Sequence, residues 1–497
     1  MNAQTPTPPH PALSRLSDRA LLRTLGHIGG RWTAAADAAD FAVTDPASGA
    51  LVARVARLGT AATDAAITAA TAAFPAWAAL LPKDRAQVLR RWAVLMRAAT
   101  DDLALIMTLE QGKPLAESRG EIAYAAEFLD WYADEAPRVN AEGITPHLGD
   151  VEMIVRRQAL GPVGVVTPWN FPSAMITRKV AAALAAGCTV VVHPSAETPL
   201  SALALAELAE RAGLPAGVMN LVPGDAATIV GAMCADTRLR AMSFTGSTEV
   251  GRLIASQCAP TMKRMVMELG GHAPLIVFAD ADIDRAVDIT MDAKFATSGQ
   301  DCLAANRIYV AREILAPFTE KLAARIAALR SGPGLDPATQ IGPLMHARAL
   351  AKVAAQVTDA VARGGRVVVG GAAHPELPLA YLPTLITGAP DSALIHREET
   401  FGPVASVQPF DTEAEVIARA NATEYGLVAY VVTRDGARAL RLSRALDFGM
   451  VAVNRVKITG GPVPFGGWKQ SGMGREGSRH GLEAFTELKY ICIDTAA

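Results

Sequence analysis

The sequence predicts an α/β protein made of two tandem domains, each built around a mostly parallel sheet. Three observations carry this reading. From Gly161 onward, short unbroken runs of β-branched residues alternate with helical segments. Strands without polar alternation are buried on both faces, the condition of a parallel sheet covered by crossover helices. The series stops at Gly270-Gly271 and begins again at Ala273-Pro274-Leu275-Ile276-Val277-Phe278, which places a boundary there. Finally, 497 residues, 51% of them hydrophobic, suffice for two or three domains and a large buried core.

Taken in order, residues 1–20 read as a flexible tail. Their first half is rich in Pro and Thr and lacks the basic start and apolar stretch of a signal peptide. Alanine-rich helical patterns follow over 64–74 and 82–109, with apolar residues at intervals of three and four. Gly112-Lys113-Pro114 punctuates them. Over 140–157 a Gly- and Pro-broken stretch runs into the alternating strand Val151-Glu152-Met153-Ile154-Val155, expected as a hairpin that leaves the main body. The first α/β series is Val163-Gly164-Val165-Val166, a helix over 172–186, Thr189-Val190-Val191-Val192, a helix over 199–211, Met219-Asn220-Leu221-Val222, a helix over 226–234 and Met242-Ser243-Phe244. Thr245-Gly246-Ser247 then opens a helix toward Cys258. The second series adds helices over 283–295 and 313–329 and the strands Arg366-Val367-Val368-Val369 and Val428-Ala429-Tyr430-Val431-Val432.

Charge and cysteine usage narrow the function classes. A formal net charge of −2 argues against a nucleic-acid binder or a polybasic membrane-surface protein. No apolar run approaches the roughly 18 residues that cross a bilayer. The five cysteines are scattered, odd in number and without a Cys-x-x-Cys pair. That pattern argues against a disulfide framework or a structural zinc site and for a reducing cytoplasm. No metal is expected.

Five segments carry chemistry. Cys302 lies in Ser298-Gly299-Gln300-Asp301-Cys302-Leu303, a polar turn in which a reactive thiol is useful. Glu268-Leu269-Gly270-Gly271 ends a strand. Its carboxylate is either a salt-bridge partner or, beside flexible glycines at a partly apolar cleft, a base of raised pKa. In Thr167-Pro168-Trp169-Asn170-Phe171-Pro172 two prolines fix the turn, so Asn170 is either a turn residue or a held amide donor for an oxyanion. Gly246-Ser247-Thr248-Glu249-Val250-Gly251 follows a strand and opens a helix. It is either an ordinary turn or a pyrophosphate seat that departs from the usual glycine spacing. His193-Pro194-Ser195-Ala196-Glu197 ends the second strand, where dinucleotide folds meet the adenosine ribose. There His193 either caps the sheet edge or donates to a ribose hydroxyl or, when protonated, to a phosphate. A nucleophile, a base and an amide donor in one chain are the groups of a covalent acyl-enzyme mechanism.

In this order, together with Glu398-Glu399-Thr400-Phe401-Gly402-Pro403 and Pro464-Phe465-Gly466-Gly467, these segments resemble the aldehyde dehydrogenase superfamily from about Gly26 to Asp494. Pro199-Leu200-Ser201-Ala202-Leu203, Gly342-Pro343-Leu344 and Lys469-Gln470-Ser471-Gly472-Met473-Gly474-Arg475-Glu476-Gly477-Ser478 are most similar to succinate-semialdehyde dehydrogenases. The resemblance implies a Rossmann-type cofactor domain over 21–139 and 160–270, an α/β catalytic domain over 271–477, and a small β oligomerisation arm from the hairpin 140–159 and the segment 478–497. It implies that Cys302 attacks the aldehyde, with the oxyanion held by Asn170 and the Cys302 backbone N–H. Glu268 then activates water against the thioester, and Lys179 supports the amide or relays protons. Thr167, Pro168, Trp169, His193, Pro194, Ser195, Ala196, Gly224, Thr245, Gly246, Ser247 and Leu269 would line NAD or NADP, and Glu399 and Phe401 would hold the nicotinamide ribose and ring. Arg178, Phe171, Asp301 and Arg455 are the substrate-side candidates.

Several positions depart from that pattern. His193 stands where the family has Lys, and Asp301 where Thr is usual; a carboxylate there disfavours the thiolate and repels an anionic substrate. The second arginine that succinate-semialdehyde enzymes use for the substrate carboxylate is Ala296, and the second redox cysteine of some relatives is Ala304. Arg455 and Lys457 are either replacement cations or solvated surface charges. The expectation is NAD(P)-dependent oxidation of a semialdehyde, succinate semialdehyde first. Glutarate or 2-oxoglutarate semialdehyde, or a neutral or aromatic aldehyde, is the alternative. Ala196, which puts no acid at the ribose, leads us to expect NADP alongside NAD. A homodimer or homotetramer is expected. A non-catalytic dinucleotide-binding protein is the reading from another class, and intact Cys302, Glu268 and Asn170 oppose it.

Overall fold

The computed structural model describes residues 10–495. The part of the expected flexible tail over 1–9 therefore lies outside the described residues. The rest of that tail is ordered, which corrects the sequence reading. Short 3-10 turns at Pro11–Arg15 and Arg19–Leu21 bury Leu13, Leu16 and Leu21. The carboxylate of Asp102 accepts the Ser17 and Asp18 amides at 2.9 and 2.8 Å. Composition indicated disorder, but three leucines and one buried acid on a distant helix decide otherwise.

Two sheets organise the chain. The first has eight strands in the order Gly472–Met473, Arg264–Glu268, Ala241–Thr245, Val163–Val166, Val190–His193, Met219–Leu221, Gly26–Ile28 and Arg31–Thr33. Its five central strands are parallel and its edges antiparallel. Val190 and Val192 face one apolar cluster and Val191 the opposite one. Burial on both faces is why these runs are continuously apolar. The second sheet has seven strands, Arg366–Val369, Thr384–Thr387, Val404–Phe410, Ala305–Ala311, Ala273–Val277, Val428–Val432 and Met450–Val453, parallel except for the first pair. Leu275 and Val277 face one cluster and Ile276 the other. The late strand Gly472–Met473 returns to the first sheet beside Glu268.

The helical expectation over 82–109 is corrected to two helices, Pro82–Ala98 and Thr100–Gln111, because Ala99 leaves helical geometry at φ −97°, ψ 17°. The stretch 140–157 does form antiparallel structure. Glu142–Ile144 pairs with Val151–Ala159, whose other edge pairs residue for residue with Thr486–Asp494. This three-stranded ribbon exposes Ile144, Leu488, Tyr490 and Ile493. Among the described residues no single helix is long and apolar enough to cross a membrane.

Replacing Asp102 with Ala is expected to release the N-terminal segment. Two amides lose their acceptor, a cost of about 1–3 kcal/mol, so trypsin should cut after Arg15 and Arg19 faster than in the wild type. An unchanged cleavage rate, read by mass spectrometry, would mean that the three leucines alone hold the segment.

Candidate active site

The first sheet reverses its strand order between Val163–Val166 and Ala241–Thr245. In open α/β sheets a crevice forms at the carboxyl ends of the strands at such a switch point. The loops leaving those two strands supply Pro168, Trp169 and Asn170 on one side and Thr245, Gly246 and Ser247 on the other. All of them line one cavity of about 1070 Å³. Phe171, Arg178, Leu269, Asp301, Cys302, Glu399 and Phe401 line the same cavity. Candidates scattered over more than 230 residues of sequence thus meet at one place.

Cys302 is half-buried and follows a bent segment in which Thr297, Ser298 and Gly299 have φ of 51°, 57° and 71°. Left-handed Thr costs about 1 kcal/mol or more, so neighbours must hold it. Both oxygens of Glu117 accept the Thr297 amide at 3.1 Å, the Ser298 hydroxyl donates to the Gly342 carbonyl at 2.9 Å, and Gln300 exchanges bonds with Pro343 and Met345. Gly271 passes so close that a Cβ there would stand 2.1 Å from the Cys302 carbonyl oxygen. Burial, then the charges of Asp301 and Glu399, push the Cys302 thiol well above its ordinary pKa.

Asn170 is held through both its side chain and its backbone. Its Nδ2 donates to the Gln300 carbonyl at 3.1 Å, its own carbonyl accepts from Lys113 Nζ at 2.6 Å, and Lys113 is paired with Glu121 at 2.6 Å, both side chains fully buried. Glu121 also accepts the Ser173 and Ala174 amides at 2.9 and 3.1 Å, at the start of the Ala174–Ala186 helix, where a negative charge is favoured. The sequence reading missed Lys113 and Glu121. Gly112-Lys113-Pro114 registered only as a helix break, and nothing local marks Glu121.

Glu268 and Lys179 do not line the cavity; they lie buried beneath it. Both Glu268 oxygens are buried without a hydrogen-bond partner, and one lies against Gly466. Burial and the neighbouring Glu476 carboxylate raise the Glu268 pKa well above the usual range. Lys179 donates to Glu476, and Arg178 Nε stands 3.1 Å from the other Glu476 oxygen. These cations keep Glu476 ionised although it is buried. Glu476 is the other member that sequence reasoning quoted but gave no role. Arg178 stacks on the Phe465 ring at 3.8 Å, and its Nε and Nη2 are buried without a hydrogen-bond partner.

The cofactor side fits a dinucleotide. Ser247 caps the Thr248–Cys258 helix, whose N-terminus faces the cavity beside the unpartnered Thr245 hydroxyl. A Cβ at Gly246 would strike the Phe244 ring at 2.4 Å. Trp169 meets Phe401 edge to face at 5.5 Å, and Glu399, pushed up to about 6 chiefly by burial, accepts the Gly271 amide at 2.8 Å. Thr167, Pro194 and Gly224 are buried away from the cavity surface, Gly224 packed on the Leu58 backbone.

Two sequence readings need correction. His193 is buried, donates Nδ1–H to the Val222 carbonyl at 2.9 Å, and has its proton affinity lowered by burial, so a charged phosphate contact is disfavoured. Arg455 is exposed and turned onto the Lys457 carbonyl, whereas Lys457 lines the cavity. At the ribose end Ala196 carries no charge, yet the Ser195 hydroxyl donates to Glu197, an acid one position further on.

The chain is similar to known proteins over nearly its whole length. The pattern of the aldehyde dehydrogenase family matches residues 32–491. The NADP(+)-dependent succinate-semialdehyde dehydrogenase GabD of Escherichia coli is 48% identical over 96% of this chain and 99% of its own. A non-phosphorylating aspartate-semialdehyde dehydrogenase of Halomonas elongata is 49% identical over 97% of each. The crystal structure of an E. coli NADP-dependent enzyme superimposes with a TM-score of 0.96 at 48% identity, covering 96% of this chain and 100% of that one. With its thiol and amide at one crevice, a buried carboxylate beneath it and this likeness end to end, the chain belongs to the aldehyde dehydrogenase family.

Proposed function

We propose that the protein oxidises a short, carboxylate-bearing semialdehyde to the acid with NAD or NADP, succinate semialdehyde being the first candidate. The observation that carries this reading is Arg178: a buried guanidinium in the cavity that also holds Cys302, ion-paired with Glu476 through Nε and with Nη2 left without a hydrogen-bond partner. A carboxylate answers such donors with charge-assisted hydrogen bonds. Glutarate semialdehyde, one carbon longer, is the alternative.

Cys302 adds to the aldehyde carbon as the thiolate, and the oxygen that becomes negative is stabilised by the Asn170 amide and the Cys302 N–H. The held position of Asn170 supports this, since a preorganised donor costs no reorganisation as charge develops. A bound nicotinamide supplies the hydride acceptor that converts the adduct to a thioester. Glu268 then removes a proton from the hydrolytic water. Its carboxyl has no hydrogen bond to break, so it is free to turn from Gly466 toward the sulfur. Lys179 and Glu476 beside it are positioned to pass that proton on.

Residues 21–139 with 160–270 hold the cofactor, 271–477 carry the nucleophile, and 140–159 with 478–497 form an arm for self-association as a homodimer or homotetramer. The exposed Ile144, Leu488, Tyr490 and Ile493 on one ribbon support the arm, because apolar residues clustered on a surface mark an interaction site. A reducing cytoplasm keeps Cys302 a free thiol.

Three outcomes test these assignments. The kcat/KM for succinate semialdehyde should exceed that for butanal at least tenfold, and Arg178→Ala should remove about 1.5–3 kcal/mol of that preference; equal values for the two aldehydes in the wild type would sink the carboxylate role. Glu268→Gln should release one burst of reduced cofactor and then stall, while Cys302→Ala should bind cofactor without any burst. A full rate in Glu268→Gln would move the base elsewhere. Because both reactive groups have raised pKa values, their deprotonated forms appear only as pH rises. Iodoacetamide labelling of Cys302 should therefore climb beyond the ordinary thiol midpoint of about 8.5. Asp301→Thr, which removes a negative charge beside the thiolate, should move the curve to lower pH.

A further inference from the structure

Bond formation between Cys302 and an aldehyde releases a thiol proton, and burial, with the Asp301 and Glu399 charges, holds that proton tightly. The base for the hydrolytic water is poorly placed to take it. Glu268 lies beneath the cavity, and both its oxygens are buried without a hydrogen-bond partner, so its carboxyl is not bonded to the thiol.

Asp301 is placed differently. It lines the cavity beside Cys302. Its Oδ1 accepts the Leu303 amide at 2.9 Å and its carbonyl accepts the Ala304 amide at 3.0 Å, so the carboxylate folds over a turn that contains the nucleophile. The Tyr430 hydroxyl donates to the Leu303 carbonyl at 2.9 Å and pins the far side of that turn. The carboxylate also takes a hydrogen bond from the Cys302 thiol. Burial raises the Asp301 proton affinity, against the Leu303 amide, Lys113, the thiol and Arg178, which lower it. A carboxylate of raised affinity is the better proton acceptor. Glu117 faces it from the Leu115–Glu135 helix, and Glu399 and Glu268 add negative charge around the sulfur. Tyr124 and Tyr430, phenols pushed up chiefly by burial, stay neutral beside it.

We propose that Asp301 is the base that takes the Cys302 thiol proton as the sulfur adds to the aldehyde, leaving Glu268 to activate the water that ends the cycle. The inference rests on the aldehyde-oxidising reading above and assigns its first proton transfer. The S–H bond breaks as the C–S bond forms, and the proton passes to Asp301. The carbonyl π pair moves onto oxygen, where the Asn170 amide and the Cys302 N–H hold it. After the hydride has left, water attacks the thioester and gives its proton to Glu268. The departing sulfur takes back the proton stored on Asp301, which restores both groups. Charge decides between this route and a preformed thiolate. A free thiolate puts a second negative charge against the Asp301 carboxylate in a buried site, a costly state. Transfer to Asp301 only moves one negative charge from carboxylate to oxyanion, and no net charge is added.

The test follows the burst of reduced cofactor in full-length Glu268→Gln enzyme, with 4-oxobutanoate and with butanal, as a function of pH. Asp301→Asn in that background removes the base and keeps an oxygen for the Leu303 amide. With Asp301 present the burst rate is expected to stay level through neutral pH. With Asp301→Asn it is expected to fall at least tenfold there and to recover as rising pH supplies free thiolate. Iodoacetamide labelling of the same variant is expected to become easier at neutral pH, so that a more ionised sulfur accompanies a slower oxidation. A neutral-pH burst as fast without Asp301 as with it overturns the inference. A loss of equal size at every pH, the mark of damaged structure, overturns it too. If the Asn variant does not fold, the parent profile decides: a burst rate that climbs tenfold per pH unit through neutrality marks a preformed thiolate and overturns the inference. Absence of any burst in Glu268→Gln, with turnover in the wild type, makes Glu268 the base for the thiol and defeats this inference alone. Absence of cofactor reduction by the wild type with both aldehydes defeats the aldehyde-oxidising reading as well.

Discussion

The buried pair between Lys113 and Glu121 is the interaction on which the site's geometry depends. Two fully buried charges 2.6 Å apart are tolerated only when their remaining hydrogen-bonding capacity is satisfied, and here that capacity reaches into other segments. Lys113 holds the Asn170 carbonyl, and Glu121 holds the amides that open the Ala174–Ala186 helix. Glu117, one helical turn before Glu121, holds the Thr297 amide. Positions 117 and 121 share a face by the spacing of the helix, and Lys113 lies in the turn just before it. One side of the Leu115–Glu135 helix and its entry therefore ties the oxyanion loop to the nucleophile loop. Removing either partner of the pair leaves a buried charge unanswered, so the constraint is stiff.

A second set of buried charges lies beneath the first. The Ala174–Ala186 helix carries Arg178 and Lys179 inward, and both meet Glu476, whose backbone is pinned to Phe465 by paired bonds of 2.7 and 2.8 Å. Glu476 is kept ionised by these cations and Glu268 is not, so protons in this region settle on Glu268. Two carboxyls in one low-dielectric region are driven to different protonation states by what surrounds them, and one becomes the group that can exchange its proton. The same helix presents Arg178 to the cavity and so joins this network to substrate recognition.

Close backbone approach sets the remaining geometry. Gly271 lets the first strand of the second sheet start against the Cys302 carbonyl, and Gly299 lets the nucleophile loop pass the Gly402 carbonyl, where a Cβ would stand at 2.3 Å. These contacts bring the two sheets' carboxyl ends around one crevice. Asp301 then sits where its charge acts on the sulfur.

Much of this was legible in the residues. Unbroken valine runs such as 190–192 announce strands buried on both faces, because strand burial is local physics. Cys302, Glu268 and Asn170 stood out for the same reason: each lies in a turn whose glycines or prolines constrain it. The strand Ala305–Ala311 was not legible. Asn306 and Arg307 break its apolar pattern, and only tertiary contact explains them, since Arg307 is buried to donate to the His272, Arg419 and Ala420 carbonyls. The order of residues 10–21, the neutral state of His193, the outward turn of Arg455 and the pairing of Lys113 with Glu121 were likewise decided by the fold. Burial and partner choice depend on segments far apart in the chain, and no local pattern encodes them.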